Sequence, residues 1–345
     1  MNLKTIAKLA GVSTVTVSNV MNGKHNKASR ETIERVQKII EETGYHPSAT
    51  ARSLIMKRSR IIAVVIPNLH AEESFSASPY NTQILGYLER YIRSRGYYMM
   101  LRCVVQSFEV LSDLATWNID GAFLLGVAAE DALELQKKMD IPAVFIDTDT
   151  EDNSLVTVTI EDRKGGYLAA RHLLGKGHRQ IAFISTSTKS PGVMQERYRG
   201  FCDAYRELGI ELPPDHLIGT ENVFYEQGVE AGKLIAASRP ECTAAVAAAD
   251  MLAFGVMEGL RLGGRRVPED VSIVGYDDLP ECQYTHPRLT SISQHLEEKA
   301  LCAGKALFSM LRNKPAARHQ TVDVELIERQ SVIDITDRRL KGDTQ

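Results

Sequence analysis

The sequence predicts an α/β fold in which two lobes of parallel β-sheet carry helices on both faces, preceded by a small all-α domain. Three observations lead to this prediction. From residue 61 onward, short apolar runs alternate with amphipathic segments, which is the pattern of repeated βα units. The body of about 275 residues is long for one such sheet and suits two. The first 45 residues carry apolar positions at helical spacing.

Composition narrows the class of protein. The 345 residues are 43% hydrophobic and 25% charged, as in an ordinary globular chain. Apolar runs reach about six residues, well short of the ~20 of a membrane span, and the N-terminus has no signal-peptide core, so we expect a cytoplasmic protein with no membrane partner. Five scattered cysteines without a C-x-x-C pair predict neither a disulfide framework nor a metal site.

The net charge of −3 is unevenly distributed along the chain. Residues 1–60 hold 11 Lys and Arg against 4 acidic residues, a charge of +7, and the remainder carries −10. A compact basic segment on an acidic body is typical of a module that binds a polyanion such as DNA. Charge alone leaves open the alternative of a basic solvated surface with no partner.

Three short helices are predicted in this basic segment. They cover residues 3–10 ending at Gly11, Thr14 to about Asn22 capped by Ser13, and Arg30 to Thr43 capped by Ser29 and closed by Gly44. Two helices joined at a glycine and braced by a third form a helix-turn-helix layout, whose second helix enters the major groove of DNA. A plain three-helix bundle is the alternative.

The second helix carries short polar side chains of the kind that contact base edges and phosphates. They are Ser13, Thr14, Thr16, Ser18, Asn19 and Asn22. After the third helix, Pro47 ends the segment that precedes it, and Ser48 can cap one more helix of about six to eight residues. A helix that short needs DNA or a second copy of the chain to be stable.

Strand-like and helix-like runs then follow one another through the body. The strand runs are Ile61–Ile66, Tyr97–Val105, Gly121–Leu125, Ala143–Ile146, Ser154–Ile160, Gln180–Ser185, Ala244–Ala249 and Val271–Gly275, and the clearest helices are Asn81–Arg95 and Arg163–Leu174. In such folds a ligand binds outside the carboxyl ends of the strands, in the cleft between the lobes.

Four charged residues follow these strand ends and are candidate ligand contacts. Asp147, Asp250 and Asp277 each come after a buried run, and Arg197 opens the helix that follows another. Carboxylates and one arginine in such places suit the capture of sugar hydroxyls or of an anionic group. Capping of the next helix is the alternative for each aspartate.

Several ordered strings closely resemble the lactose-repressor family of bacterial transcription regulators. They are Thr5–Ser13, Thr16–Gly23, Gly44–Ser48 and Ala51–Leu54 in the head, and Asn118–Gly121, Gly175–Ile181, Arg197–Phe201, Val271–Asp278, Pro287–Ile292 and Ile327–Arg329 in the body. The resemblance implies a helix-turn-helix head, a hinge helix and a body similar to the two-lobed periplasmic sugar-binding-protein fold.

The domain boundaries follow from this resemblance. They are 1–46 for the helix-turn-helix head, 47–60 for the hinge helix and linker, 61–335 for an effector-binding and dimerisation domain, and 336–345 for a tail. The resemblance implies three crossings between the lobes, near Ile160, Thr290 and Gln320. The N-lobe would then comprise about 61–160 and 291–320, and the C-lobe about 161–290 and 321–335.

The resemblance also implies roles for single residues in contact with DNA. Thr14, Val15 and Asn19 match positions that read the major groove. Leu54 matches a hinge-helix leucine that wedges between base pairs in the minor groove, and such a wedge exchanges lost stacking for a bent duplex. Its neighbours Ala51 and Arg52 complete the predicted DNA contacts.

In the effector site, the resemblance makes Arg197 and Asp277 the strongest ligand contacts. Phe224 would stack on the effector, and Phe75 is a further candidate for the pocket wall. Asp147 and Asp250 complete the predicted set.

The predicted function is that of a homodimeric, sequence-specific repressor that reads a pseudo-palindromic DNA operator. A sugar-like effector in the cleft would shift the two lobes and so change operator binding, in a direction that the sequence leaves open. No dinucleotide-binding glycine motif, phosphate loop or nucleophile elbow occurs, so we expect no enzyme, cofactor or metal.

Two alternatives remain beside this prediction. The first is a regulator of the same family controlled by a partner protein. The second is a transport-type sugar-binding protein, which would need an export signal and no basic head. The tail after residue 336 has no leucine heptads, which favours a dimer over a tetramer.

Overall fold

The computed structural model describes residues 2–21, 23, 25–45, 58–67, 75–105, 110–189 and 191–336. It divides into two compact units, Met1–Arg60 and Ile61–Gln345. Asn22, the predicted hinge helix with Ala51, Arg52 and Leu54, and the tail from 337 onward lie outside the described residues.

The first unit is a three-helix domain. Its helices are α1 (Leu3–Ala10), α2 (Thr14–Met21) and α3 (Arg30–Thr43), with a short 3-10 helix at His25–Lys27. Ile6, Val17, Val20 and Val36 form the centre of its core. Gly11 closes α1 with a left-handed φ of 63° and begins the tight turn to α2. The predicted helix-turn-helix domain is therefore confirmed.

The second unit contains two six-stranded sheets. The first sheet comprises β1 (Ile61–Pro67), β2 (Tyr98–Val104), β3 (Gly121–Leu125), β4 (Ala143–Ile146), β5 (Thr157–Ile160) and β11 (His319–Val322). The second sheet comprises β6 (Ile181–Ser185), β7 (Leu217–Gly219), β8 (Ala244–Ala247), β9 (Ser272–Asp277), β10 (Thr290–Ser293) and β12 (Glu325–Ile327). The predicted pair of parallel sheets is confirmed, and β12 is an antiparallel addition at the edge of the second sheet.

Helices connect the strands and cover the sheets. They are α4 (Pro79–Ser94), α5 (Val110–Thr116), α6 (Ala129–Lys138), α7 (Asp162–Gly175), α8 (Val193–Glu207), α9 (Tyr225–Ser238), α10 (Asp250–Leu262) and α11 (Leu296–Met310), with 3-10 helices at Phe75–Ala77 and Pro280–Gln283. Within the described part of the chain, no helix has the length and apolar character needed to cross a bilayer.

The sheets place two crossings slightly later than expected. Strand β10 belongs to the second sheet, so the second crossing follows Ser293 rather than Thr290. Strand β11 belongs to the first sheet, so the third crossing follows Val322 rather than Gln320. In both places the strand completes its parallel pairing before the chain changes sheet.

Both sheets share one strand order that positions the functional site. The first runs β2-β1-β3-β4-β5-β11 and the second runs β7-β6-β8-β9-β10-β12. In each, the connections reverse direction on either side of the first strand, which creates a crevice at the carboxyl ends of neighbouring strands. The crevices lie at the ends of β1 and β3, and of β6 and β8.

A close helix crossing supports the second crevice. A Cβ on Gly166 of α7 would lie 1.8 Å from the backbone oxygen of Arg197 on α8. The two helix backbones therefore touch, and only glycine permits this approach at position 166. Because Arg197 is a predicted ligand contact, the crossing helps to fix where its side chain starts.

Gly166→Ala should therefore lower the free energy of unfolding by about 1–3 kcal/mol or more, because the added methyl overpacks a backbone contact. Gly86→Ala is the matched control, since position 86 is also helical and a Cβ there meets nothing within 4 Å. The control should be stabilised by up to about 1 kcal/mol. Urea denaturation measures both, and equal stability of the two variants would contradict the close crossing.

Candidate functional site

Helix α2 presents the residues predicted to read DNA. Val17 and Val20 are buried in the head's core, while Val15 is 67% exposed. Thr14, Ser18 and Asn19 are half-buried. An apolar side chain this exposed at the start of a helix is suited to contact a thymine methyl group in the major groove.

Ser13 and Thr16 have a structural role in this helix. The Thr16 amide donates to Ser13 Oγ over 3.1 Å, and the two hydroxyls are 3.0 Å apart. Ser13 therefore caps α2, as its sequence position predicts. Their use in DNA contacts remains a prediction.

A cavity of about 820 Å³ lies between the two sheets of the second unit. It opens where the strand-order crevices were expected, since Gly126 follows β3, Thr186 follows β6 and Ala249 follows β8. Much of its wall from the second sheet is apolar, with Val193, Met194, Val223, Phe224 and Leu279. Arg197, Asp277, Phe224 and Asp147 of the predicted set all line it.

Arg197 is held by three contacts in the cavity wall. It is only 5% exposed, and its Nε donates to Asp162 Oδ1 over 2.7 Å. Its Nη1 donates to the Ala248 carbonyl over 2.7 Å, and its guanidinium lies 3.7 Å above the Tyr276 ring. Burial lowers the pKa of Arg197, but the Asp162 charge more than offsets this and keeps the pKa raised. The hydrogen bonds to Asp162 and Ala248 use two of the five N–H donors of the guanidinium, which leaves the donors of Nη2 for a ligand.

Asp277, the last residue of β9, is 7% exposed at the cavity wall. Its Oδ1 accepts a hydrogen bond of 2.5 Å from Gln294 Nε2. Within the described residues no lysine or arginine forms an ion pair with it. Burial raises the pKa of the Asp277 carboxyl above its usual range, and nearby Arg197 opposes the shift. A ligand that donates hydrogen bonds here would favour the charged carboxylate.

Asp147 faces the cavity from the end of β4. Its Oδ1 accepts from Lys299 Nζ over 2.6 Å, and its other oxygen accepts a short hydrogen bond from the Tyr80 hydroxyl. Burial raises the pKa of Tyr80 well above its usual value, and the Asp147 charge adds to the rise. The negative charge of Asp147 is therefore balanced by the ammonium of Lys299 within the protein.

The backbone conformation is unusual at both Asp147 and Asp277. Asp147 has a φ of 60° and Asp277 a φ of 121°, in the left-handed region that residues with a side chain rarely adopt. Such conformations persist where surrounding structure fixes them, and they cluster at binding sites.

Asp250, the fourth charged residue predicted to contact a ligand, lies behind the wall of the cavity. It is fully buried and does not line the cavity. Its carboxylate accepts hydrogen bonds from the Ser291 hydroxyl (2.6 Å), the Leu279 amide (2.8 Å) and the Cys282 thiol (3.1 Å). It makes no side-chain cap for α10 either. Asp250 instead ties the segment after β9 to β10.

Phe75 also differs from the prediction. It lies in a 3-10 helix, packs against a core cluster with members from both sheets, and is not among the residues that line the cavity. Its neighbours 68–74 lie outside the described residues. Among the residues that are described, no group of three His, Cys, Asp or Glu is arranged to hold a metal ion.

Comparisons with known proteins identify the chain. Residues 2–48 match the bacterial regulatory proteins of the lacI family, and residues 170–332 match the periplasmic binding protein-like domain. The HTH-type transcriptional repressor PurR of Erwinia tasmaniensis is 33% identical, over 96% of this chain and 97% of that protein. The chain belongs to the lacI family of bacterial regulatory proteins. The predicted resemblance is thereby confirmed.

Solved structures of the lacI family share the whole fold. A complex of the transcriptional regulator CelR with cellobiose is 27% identical with a TM-score of 0.72. The lac repressor dimer bound to operator and the anti-inducer ONPF is 24% identical with a TM-score of 0.83. Each match covers 96% of this chain and 99% of the other. The chain is a DNA-binding transcriptional repressor of this family, and such repressors are not enzymes.

Among the polar residues that sequence reasoning missed around the cavity, four take part in its hydrogen-bond network. Tyr80 and Gln294 line it, while Asp162 and Lys299 hold the lining residues from behind. One signal was available for Lys299. In helix α11 it lies three residues after buried Leu296 and four before buried Ala303, so it falls on the apolar face.

Asp250→Asn should change how stability depends on pH. Burial, reinforced by the Asp277 charge, raises the pKa of Asp250 in the folded chain. The protonated form is therefore favoured by folding, and the wild type loses stability as pH rises through that pKa. The melting temperature of the variant relative to wild type should rise between about pH 5 and pH 8.5.

Asp270→Asn provides the control for this measurement. Hydrogen bonds from Arg266 lower the pKa of Asp270 to about 2, so its charge is constant over the same range. Its melting-temperature difference from wild type should stay flat. A flat difference for Asp250→Asn as well would contradict the raised pKa.

Proposed function

We propose that this repressor binds a pseudo-palindromic operator as a homodimer and that a small polar effector, a sugar or sugar derivative, binds in the cavity between the two sheets. One observation carries the effector assignment. Two charged residues line the cavity on the side of the second sheet, the fixed cation Arg197 and the buried carboxylate Asp277. Asp147 lines it on the side of the first sheet. A hydroxyl both donates and accepts, so polyhydroxyl compounds suit such a pair.

The charge of the lining favours a neutral effector over an anionic one. Glu130, Asp147, Asp149 and Asp277 line the cavity, and Arg197 is the one cation among the described lining residues. Arg197 is already paired with Asp162. A phosphate or carboxylate would therefore enter an unfavourable potential.

The apolar wall favours a ligand with a hydrophobic face. The Phe224 ring offers a surface on which a sugar ring can stack. A cavity of about 820 Å³ falls within the ~300–1,000 Å³ typical of small-molecule sites. The bound cellobiose in the similar CelR structure supports the same class of ligand.

The DNA assignment rests on the head. The basic charge of residues 1–60, the confirmed helix-turn-helix and the exposed start of α2 support major-groove reading by Thr14, Val15 and Asn19. Specific binding needs the heads of two protomers, because one head offers little surface for base contacts. The two-fold symmetry of such a dimer then requires an operator with two similar, inverted half-sites. The protein acts where its operator is, in the cytoplasm.

Selection from a random duplex DNA library should enrich a pseudo-palindrome with the full chain and nothing with a chain that starts at Ile61. Affinity for the selected duplex should fall with salt, with a log–log slope of roughly −0.9 per phosphate contact. Asn19→Ala should weaken specific binding about 5- to 150-fold, since a bidentate base contact is worth ~1–3 kcal/mol. Operator binding by the shortened chain would contradict the assignment.

The effector assignment is tested by thermal shift with neutral saccharides, sugar phosphates and nucleobases. A neutral saccharide should raise the melting temperature and alter operator affinity in fluorescence anisotropy. Asp277→Asn should weaken that effect about tenfold to hundredfold, because a charged hydrogen bond contributes ~1.5–3 kcal/mol. Asp140→Asn, which is exposed and does not line the cavity, is the matched control.

Two outcomes would contradict the neutral-sugar proposal. One is stabilisation by a sugar phosphate alone. The other is a change of operator affinity that requires a partner protein and no metabolite. Asp277 is preferred to Arg197 for this test, because removing Arg197 leaves the Asp162 charge buried and unpaired.

A further inference from the structure

Lys299 is a fully buried lysine with no role in the functions described so far. It lies on α11, with none of its side chain exposed. Its ammonium donates to Asp147 Oδ1 over 2.6 Å, to Gln294 Oε1 over 2.8 Å and to the Tyr80 hydroxyl over 3.1 Å. An ammonium has three donors, so these bonds use its full capacity.

Burying this charge is costly, and stability alone does not account for it. A well-packed apolar side chain commonly replaces a buried ion pair without loss of stability. Lys299 projects from the apolar face of α11, beside Leu296 and Ala300, where such a replacement fits the pattern of the helix. The partners of the ammonium point to a role in arranging the cavity.

Gln294 extends the contact of Lys299 to the second sheet. It lies in the crossing between β10 and α11, one residue after β10 ends. Its oxygen accepts from Lys299, and its nitrogen donates to Asp277 Oδ1 over 2.5 Å. The amide can satisfy both neighbours in one orientation only, because the reverse would face nitrogen to the ammonium and oxygen to the carboxylate.

We propose that Lys299 is a positioning residue of the cavity. It holds Asp147 directly and Asp277 through Gln294, so that one buried cation fixes the positions of two carboxylates that line the cavity from different sheets. Asp147 directly follows β4 of the first sheet, and Asp277 ends β9 of the second. Both line the cavity, and both have the positive φ that needs outside support. The Lys299–Gln294–Asp277 chain therefore couples the two walls of the cavity.

The consequence for effector binding rests on the proposed function, whereas the coupling itself does not. A ligand that displaces Gln294 from Asp277 would release the link, and one that bonds to both carboxylates would reinforce it. The test below uses the full chain without effector, so it stands even if no sugar binds.

Hydrogen–deuterium exchange with mass spectrometry tests the coupling at two segments, residues 143–149 and 272–279. Lys299→Met should accelerate exchange about tenfold in both, because it frees Asp147 and, through Gln294, Asp277. Gln294→Leu should accelerate exchange at 272–279 only, because Lys299 still pairs with Asp147. Lys305→Met, an exposed lysine of the same helix, should change neither segment.

Two further variants separate positioning from loss of stability. Leu307→Ala removes a buried side chain of the same helix that packs beside Gly121 of the first sheet, outside this chain of contacts, and should leave exchange at 272–279 unchanged. Lys299→Met/Asp147→Asn removes both charges, leaves no unpaired buried ion, and should still accelerate exchange at 272–279. The proposal would be overturned if exchange accelerated only at 143–149 in both variants that lack Lys299. It would also be overturned if Lys299→Met changed exchange in the same segments as Leu307→Ala.

Discussion

The arrangement of the cavity depends on the buried guanidinium of Arg197. It bonds to Asp162 where the chain first crosses between the sheets, to the carbonyl of Ala248 after β8, and lies on the ring of Tyr276 in β9. One side chain thereby fixes a crossing segment and two strand ends of the second sheet. Removing one partner of a buried ion pair typically lowers the free energy of unfolding by about 3–5 kcal/mol, because the other charge is left unpaired. Loss of either Arg197 or Asp162 should therefore disturb the whole arrangement.

The other buried charges can be understood from the same constraint. Arg197 is matched by Asp162 and Lys299 by Asp147, so each cation has one close carboxylate. Asp277 has no such cation within the described parts of the chain and is held by the amide of Gln294. Asp277 is therefore a buried carboxylate of the cavity wall whose charge a ligand could still stabilise. The proposed neutral, hydroxyl-rich effector would use this acceptor together with the guanidinium of Arg197.

Most of the fold was predictable from sequence, because strand and helix periods follow directly from which faces are buried. Gly121–Leu125, Ala143–Ile146 and Arg30–Thr43 have the predicted bounds. The cavity wall was predictable in part, since residues that follow parallel strands must meet at one edge. Asp147 and Asp277 lie there for this reason, and the same rule fails for Asp250, whose side chain turns inward to Ser291 and Leu279.

The polar residues behind the wall were not predictable in the same way. Asp162 is 35 residues from Arg197, and Asp147 is 152 residues from Lys299, so no local pattern links the partners. Their pairing arises from tertiary packing across crossings and helices. Phe75 was hard to place for a related reason, because it follows no predicted strand end, and its ring packs against the core.

A double-mutant cycle on Asp162 and Arg197 tests the central claim, with unfolding by urea measured for the wild type, Asp162→Asn, Arg197→Met and the double variant. The account predicts that each single change costs about 3–5 kcal/mol, because the remaining charge is buried alone. The double change should then cost at least about 2 kcal/mol less than the sum of the two. Costs that add within about 0.5 kcal/mol would show that the two groups are independent and would contradict the account.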